Sequence, residues 1–172
     1  MLTTREPGGS PGAEAIRDLL LGGAGNRWGM RAEALLFAAA RADHVERTIR
    51  PALAAGQWVL SDRFIDSSLA YQGGAGGLGV AEIRALHRFG SDDFLPGRTL
   101  VLVAPDGIER ARQRDGGKGD RISARPVHYH LAVEGIFHHL AEEEPARVRL
   151  VDATGSPDEV TERLIRQLED LL

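Results

Sequence analysis

Short apolar runs that alternate with helical stretches are the feature that most limits what this chain can fold into. Three runs read as buried strands, at 58–60, Thr99–Val103 and 148–151, and Leu2–Arg5 could be the end of another. Apolar strands connected through helices are typical of a parallel sheet covered on both faces. The alternation therefore predicts an α/β fold.

Helix signals occupy the segments between those runs. Ser10 followed by Pro11 predicts a helix start, a second helix is expected over about 32–53, and residues 156–159 read as a capping box for a last helix. Helical spacing predicts that the second helix turns these residues toward the core: Leu35, Ala38, Ala42, Val45 and Ile49. The last helix is expected to turn these inward: Val160, Leu164, Leu168 and Leu171. No repeat or linker divides the chain, so we expect a single domain over residues 1–172.

The composition removes several classes of function. The chain has no cysteine, which excludes disulfides, zinc–thiolate sites and thiol catalysis. Its formal net charge of −4 offers no electrostatic surface for nucleic-acid polymers or anionic membranes. No apolar run reaches the length that crosses a bilayer, and residues 1–7 lack a signal-peptide pattern. We expect a cytoplasmic protein that binds neither a membrane nor a nucleic-acid polymer.

Charged residues follow two of the predicted strands. Arg5-Glu6 comes after the first, and Asp62-Arg63 comes after the run at 58–60. Ligands of open parallel sheets bind beyond the carboxyl ends of the strands. These clusters are therefore candidate site residues, and surface ion pairs are the alternative.

Two further groups share helical spacing. Phe37, Arg41 and His44 fall on one face of the second helix, where a ring can stack on a base while a cation holds a phosphate. Ser68 and Gln72 are one turn apart, and a hydroxyl with a carboxamide can read the edge of a pyrimidine. The alternatives are a core position for Phe37 and a solvated face for Ser68 and Gln72.

Three other patterns have a less specific meaning. The glycines of 73–79 match G-x-G-x-x-G but follow a helix rather than a strand, so we interpret them as a flexible loop. His130, Glu134 and His138 have metal-ligand spacing, but a solvated helix face explains them better. Cations interleaved with glycines after Thr99–Val103 predict a basic flap that closes over a polyphosphate, with an exposed charged loop as the alternative.

Together these segments resemble bacterial thymidylate kinases. Residues 4–9 are similar to the family's TREPGG segment, and residues 33–44 resemble its E-x-L-L-F-A-A-x-R-x-x-H helix. Residues 61–73 look like SDR(Y/F)-x-DS(T/S)LAYQG, and the basic flap ending in Asp120-Arg121 resembles the family's lid. The similarity runs from about Thr3 to the end of the chain.

The resemblance implies a P-loop-kinase-like three-layer fold, a lid at about 107–125 and a homodimer. It implies transfer of the γ-phosphoryl group of ATP, bound with Mg²⁺, to thymidine monophosphate (dTMP). By position, the acceptor phosphate would be held by Arg5, Arg41 and Arg63, and the base would be contacted by Phe37, Ser68 and Gln72. Arg63, Arg114 and Arg121 would act in catalysis, and the other lid cations would be Arg110, Arg112 and Lys118.

The printed sequence departs from the family at the donor side. The Walker-A pattern G-x-x-x-x-G-K-[ST] requires a lysine, but Lys118 is followed by Gly119, and Arg112 stands where the first glycine belongs. We therefore expect an N-terminally truncated domain that lacks the first strand, the phosphate loop and the first helix. Two hypotheses remain: a thymidylate kinase that begins upstream of Met1, or a non-catalytic remnant that binds dTMP or only dimerises. A related nucleoside kinase is a third option.

The missing strand has a structural consequence. In the family it lies at the centre of the sheet, between the strand that ends at Asp62-Arg63 and Thr99–Val103. We expect either an open gap at that place or direct pairing of those two strands. We also predict that residues 114–125 are the most mobile part of the chain, because their glycines have high backbone freedom.

Overall fold

Four strands lie in the described part of the chain, which in this computed structural model comprises residues 1–23, 27–105, 107 and 120–171. They are β1 (Leu2–Arg5), β2 (Val59–Asp62), β3 (Thr99–Val103) and β4 (Val148–Asp152). β1 pairs in parallel with β2, from Leu2 opposite Val59 to Arg5 opposite Asp62. β3 pairs in parallel with β4 along its whole length. The predicted α/β class with parallel strands is confirmed.

No backbone hydrogen bond joins the two strand pairs within the part of the chain that the structure describes. Within the described residues they form two separate two-stranded sheets, of order β1-β2 and β3-β4. Of the two expected outcomes, the structure shows the unpaired one rather than direct pairing of β2 with β3. Leu60 on β2 and Leu102 on β3 are 58% and 55% exposed, which is unusual for strand leucines.

Seven α-helices lie in the described part of the chain. They are α1 (Pro11–Leu21), α2 (Met30–His44), α3 (Arg50–Ala54), α4 (Ile65–Ser68), α5 (Val80–Ser91), α6 (Val127–Glu143) and α7 (Pro157–Arg166). Two π-helical turns, Val45–Ile49 and Leu69–Ala75, continue α2 and α4. The Ser10 hydroxyl accepts the Ala13 N–H at the start of α1, and Ser156 and Glu159 form the predicted capping box of α7. Both predicted helix starts are therefore confirmed.

The predicted inward faces are right only in part. Val45 and Ile49 are buried as expected, but Leu35 is 57% exposed. The buried positions of α2 include three polar side chains, Glu33, Arg41 and His44. The prediction for Leu35 was wrong because hydrophobic spacing assumes that charged residues face water, whereas here they are buried against one another. Leu171, after α7, is also exposed rather than inward.

The first residues of the glycine-rich segment 73–79 are helical rather than part of a loop. Gly73 and Gly74 belong to the π-helical turn Leu69–Ala75, which packs on α6. A Cβ atom at Gly74 would overlap the Ile136 side chain of α6, so the close approach of the two helices requires glycine there. The interpretation of these residues as a loop was therefore wrong for 73–75.

One ion pair links the first strand pair to the second. Asp66, four residues beyond β2, receives two hydrogen bonds of 2.7 Å from the Arg147 guanidinium, just before β4. Thr99, the first residue of β3, donates to the same carboxylate at 2.7 Å. The main apolar cluster packs beside this contact and consists of Ala34, Ile65, Leu69, Ile83, Leu140 and Val148. Burial alone would lower the pKa of Arg147, but its hydrogen bonds to Asp66 and Glu144 raise it.

We predict that Asp66→Asn lowers the free energy of unfolding by about 3 kcal/mol, because it leaves the largely buried Arg147 charge without its bidentate partner. Urea unfolding followed by circular dichroism measures this change. Glu162→Gln is the matched control, since Glu162 pairs with Arg166 over 3.5 Å at an exposed site, and such pairs contribute about 0–1 kcal/mol. Equal midpoints for the two variants would contradict the linking role of Asp66.

Candidate functional site

The carboxyl ends of β1 and β2 place charged residues side by side. Arg5 lies opposite Asp62 in the parallel register. The Arg5 side chain is more than half exposed, and its Nη2 donates to Glu14 over 3.2 Å. The Gly9 backbone N–H donates to Glu14 over 2.9 Å, and together with the Arg5 charge it lowers the pKa of this carboxyl. The edge therefore presents Arg5 to solvent beside an ionised glutamate.

Arg63 has a strained backbone at the end of β2. Its φ of 68° lies in the left-handed region, which non-glycine residues seldom occupy. Such residues cost about 1–3 kcal/mol and cluster at functional sites. The exposed Arg63 guanidinium lies 5.2 Å from the centre of the Tyr71 ring, directly before Gln72 in the chain. Arg63 therefore faces the segment that carries Ser68 and Gln72.

One face of α2 carries most of the remaining predicted residues. Phe37 is half-buried and lies one turn from Arg41, as the spacing indicated. Glu33 and His44 continue the same face toward the two ends of the helix, and both are fully buried. The face is thus polar and buried on either side of an aromatic ring.

A chain of hydrogen bonds fixes the orientation of Arg41. Its Nε donates to Glu6 over 2.8 Å, and its Nη2 donates to the Ser68 hydroxyl over 2.6 Å. The other oxygen of Glu6 lies 3.1 Å from His44 Nδ1, and His44 Nε2 lies 2.8 Å from the Thr4 hydroxyl. An ionised carboxylate only accepts, so His44 Nδ1 carries a proton here. Because Arg41 and both of its partners, Glu6 and Ser68, are buried, Arg41 has little rotational freedom.

A second contact crosses between the same helical segments. Gln72 Nε2 donates to Glu33 over 2.9 Å, so Arg41–Ser68 and Glu33–Gln72 form two rungs between α2 and the segment 68–72. Phe37 lies between these rungs along α2. Ser68 and Gln72 are both buried, which contradicts the alternative of a solvated face. The structure therefore brings Phe37, Arg41, Ser68 and Gln72 together.

The predicted lid is described only at its ends. Arg110, Arg112, Arg114 and Lys118 lie outside the described residues, as does the first half, 114–119, of the segment predicted to be mobile. Arg121 is described and deeply buried, where it donates to the Leu20 carbonyl over 3.0 Å and to Glu33 over 2.6 Å. In this conformation Arg121 pairs with a carboxylate, and its predicted catalytic role stays a prediction.

The described part of the chain provides guanidinium groups and an aromatic ring, without a cluster of metal ligands. It contains no group of three or more histidine, aspartate or glutamate side chains placed to hold a metal ion, and the spacing of His130, Glu134 and His138 does not form one. None of the described helices is long and apolar enough to span a bilayer. The arrangement can bind an anion through guanidinium groups and hold a flat ring near Phe37.

Of the residues that support the site, Glu33 received no role from the sequence, and Glu6 and His44 were named only as candidates. Glu6 holds Arg41, His44 contacts Glu6, and Glu33 holds Gln72. Each of the three stands inside one of the segments that resemble a family motif. The signal that could have found Glu33 is its spacing, since Glu33, Phe37 and Arg41 follow one another at intervals of four residues. If Phe37 stacks on a base, the residues one turn before and after it on the same helix face also lie near the site. Glu33 and Arg41 are those residues.

Comparisons with known proteins point to one family. A sequence model of the family described as thymidylate kinase matches residues 1–164. The thymidylate kinase of Rhizorhabdus wittichii is 59% identical over 174 residues, covering 100% of this chain and 84% of that protein. That of a Bradyrhizobium species is 47% identical over 164 residues, covering 94% and 73%. The crystal structure of thymidylate kinase from Ehrlichia chaffeensis superposes with a TM-score of 0.76 at 26% identity, covering 98% of this chain and 81% of that one.

Parallel strands flanked by helices, with this structural match, define a protein of the P-loop kinase fold class. Within that class, the chain belongs to the thymidylate kinase family. The predicted family is thereby confirmed. The members of that family are nucleoside monophosphate kinases, so the activity to be explained is phosphotransfer.

A buried histidine behind the site makes stability depend on pH. His87 packs edge-on against Phe64, and its Nε2 contacts the Phe94 carbonyl over 2.7 Å. Burial lowers the pKa of His87. The unfolded chain therefore takes up a proton at this residue more readily than the folded chain does. Its stabilising effect is complete above the ordinary histidine value of about 6.5 and is lost as the pH falls below it.

We predict that His87→Gln reduces the loss of stability between pH 8 and pH 5.5, since glutamine keeps a donor for the Phe94 carbonyl but does not titrate. Urea midpoints at both pH values measure the effect. His139→Gln, at an exposed histidine paired with Glu143, should retain the pH dependence of the parent chain. A parent-like dependence in His87→Gln would contradict the assignment.

Proposed function

We propose that this chain binds dTMP as the acceptor of the γ-phosphoryl group of Mg·ATP, giving dTDP. The observation that carries the proposal is the pair of rungs, Arg41–Ser68 at 2.6 Å and Glu33–Gln72 at 2.9 Å, on either side of Phe37. A nucleoside monophosphate needs a stacking surface for its base, polar atoms for the base edge and cations for the phosphate. All three lie on these two facing segments.

The acceptor phosphate is assigned to Arg5, Arg41 and Arg63. Arg41 is supported by its fixed orientation, since Glu6 and Ser68 hold two of its three nitrogens and leave Nη1 for a ligand. Its guanidinium also lies 5.6 Å from the ring centre of Phe64, the residue after Arg63. This contact brings the α2 face and the end of β2 to the same place. Guanidinium groups suit phosphate because they donate two parallel hydrogen bonds.

Phosphoryl transfer to dTMP requires the protein mainly to position the two substrates. The attacking atom is an oxygen of the acceptor phosphate, which is already ionised and needs no strong general base. Catalysis then depends on alignment of the two substrates and on positive charge near the transferred group. Arg63, Arg114 and Arg121 are the proposed sources of that charge, with Arg110, Arg112 and Lys118 in the lid.

The donor side of the site has less support than the acceptor side. The printed sequence contains no G-x-x-x-x-G-K-[ST] segment to hold the ATP phosphates. Mg²⁺ would arrive as part of the Mg·ATP substrate, since the described residues offer no cluster that would hold it. We therefore propose that the 172-residue polypeptide binds dTMP and turns it over slowly. A non-catalytic protein that binds dTMP is the alternative.

Assembly as a cytoplasmic homodimer is part of the same proposal. Its support is the exposure of large apolar side chains on two helices that pack together: Leu35 on α2 is 57% exposed, and Phe89 on α5 is 91% exposed. A second copy of the chain that covers these residues would remove apolar surface from water.

We predict that Arg41→Gln weakens dTMP binding by about 1.5–3 kcal/mol, because it removes a charged donor to phosphate. Thymidine, which has no phosphate, should bind with nearly unchanged affinity. Glutamine is preferred to alanine because it keeps a donor for the buried Glu6 carboxylate. Isothermal titration with both ligands measures the difference, and equal weakening of both would contradict the phosphate role.

We predict that the 172-residue polypeptide binds dTMP in titration but turns over below about 0.1 s⁻¹ in a coupled assay with Mg·ATP, where a typical enzyme reaches about 10 s⁻¹. Arg41→Gln, prepared in parallel, reveals any contaminating kinase. Turnover of several per second would favour a complete enzyme, and binding with no turnover would favour the non-catalytic alternative. Absence of dTMP binding would overturn the proposed function.

A further inference from the structure

Glu33 has a stronger set of partners than any other carboxylate described around the site. It is fully buried, and it receives hydrogen bonds from Arg121 over 2.6 Å and from Arg125 over 2.7 and 2.9 Å. Gln72 supplies a further donor over 2.9 Å. Both oxygens of this carboxylate accept hydrogen bonds from guanidinium groups, which hold it in place. Glu33 is therefore a fixed acceptor that offers no hydrogen of its own.

This acceptor decides which way the Gln72 amide points. A carboxamide has a donating and an accepting end, and the two can exchange by rotation. An ionised carboxylate accepts only the N–H end, so Glu33 requires Nε2 to face α2. The amide oxygen must then point away from Glu33. The charge of a neighbouring residue thus fixes the hydrogen-bonding character that Gln72 presents elsewhere.

The other end of the amide has no hydrogen-bond partner among the described residues. The side-chain hydrogen bond of Gln72 within the described residues is the one to Glu33. Its oxygen is not among the buried side-chain atoms of those residues that lack a partner, which are His87 Nδ1 and Arg98 Nε and Nη1. Gln72 Oε1 is therefore not fully enclosed, although the side chain as a whole is buried.

We infer that Glu33 is a positioning residue that makes the site select a base carrying a hydrogen on N3. The inference rests on the proposed function, because it assumes that a nucleoside monophosphate lies against Phe37. Thymine and uracil donate from N3–H, whereas the cytosine N3 accepts. An amide oxygen fixed toward the base accepts a hydrogen bond from N3–H of thymine or uracil and repels the N3 lone pair of cytosine. Glu33 does this without touching the ligand.

The test compares dTMP with its 3-deaza analogue, in which C–H replaces N3–H without a change of shape. Isothermal titration of the full 172-residue chain gives the ratio of the two dissociation constants. We expect the analogue to bind about tenfold more weakly than dTMP, as for the loss of one hydrogen bond to a fixed acceptor. In Glu33→Gln the new amide pairs with either end of Gln72, and the ratio should fall toward one.

Two further variants keep the test decisive if Glu33→Gln does not fold. Glu33→Asp keeps the charge between the two arginines but withdraws the carboxylate by about 1.5 Å, and the ratio should fall here too. Gln72→Met removes the accepting oxygen and should give a ratio near one. Glu162→Gln, at an exposed glutamate, is the matched control and should keep the ratio of the parent chain. A merely structural role of Glu33 would weaken both ligands equally and leave the ratio unchanged.

The outcomes separate this inference from the proposal on which it rests. A parent chain that binds dTMP but does not distinguish the analogue would overturn the role of Gln72 and leave dTMP binding intact. A tenfold ratio that persists in Glu33→Gln or Glu33→Asp would overturn the role of Glu33. No binding of either ligand by the parent chain would overturn both the inference and the proposed function.

Discussion

Two buried carboxylates, Glu6 and Glu33, impose the arrangement on which the rest of the site depends. A carboxylate taken out of water is stable only with charged or hydrogen-bonding partners. Glu6 obtains them from Arg41 and His44, and Glu33 obtains them from Arg121, Arg125 and Gln72. Because Arg41, His44 and Glu33 all belong to α2, pairing fixes the rotation of this helix about its axis. The polar face turns inward, and Leu35 is left outside.

The segment after β2 has two structural tasks that its sequence does not distinguish. Asp66 binds Arg147 and Thr99 and so links the two strand pairs, which share no backbone hydrogen bond within the described residues. Ser68, two positions later, faces α2 and bonds Arg41. The π-helical turn that follows widens the helix, as such turns often do at functional sites. Within this one segment, Asp66 therefore stabilises the fold, and Ser68 and Gln72 supply the proposed ligand contacts.

The sequence predicted the strands, the helix starts and the grouping of Phe37 with Arg41, because each depends on local spacing. It failed where a long-range partner decides the outcome. Leu35 was expected to be buried from hydrophobic spacing, which cannot anticipate Arg41 and Glu33 pairing across 27 and 39 residues of chain. The left-handed backbone of Arg63 was equally hidden, since an arginine gives no sign of a positive φ. The resemblance to a family assigned roles to the ligand-contacting residues. The structure was needed to show that Glu6, Glu33 and His44 hold those residues in position.

The three arginines assigned to the acceptor phosphate differ in how their charge is balanced. Arg5 is paired with Glu14, and Arg41 is paired with Glu6. Arg63 contacts the Ser67 hydroxyl and the Tyr71 ring, and no described carboxylate pairs with it. In the proposed site Arg63 therefore provides most of the unbalanced attraction for a dianionic phosphate. Arg41 instead provides direction, because its position is set before the ligand arrives. A fixed donor costs little ordering entropy on binding, so the strained Arg63 and the rigid Arg41 make complementary contributions to one phosphate.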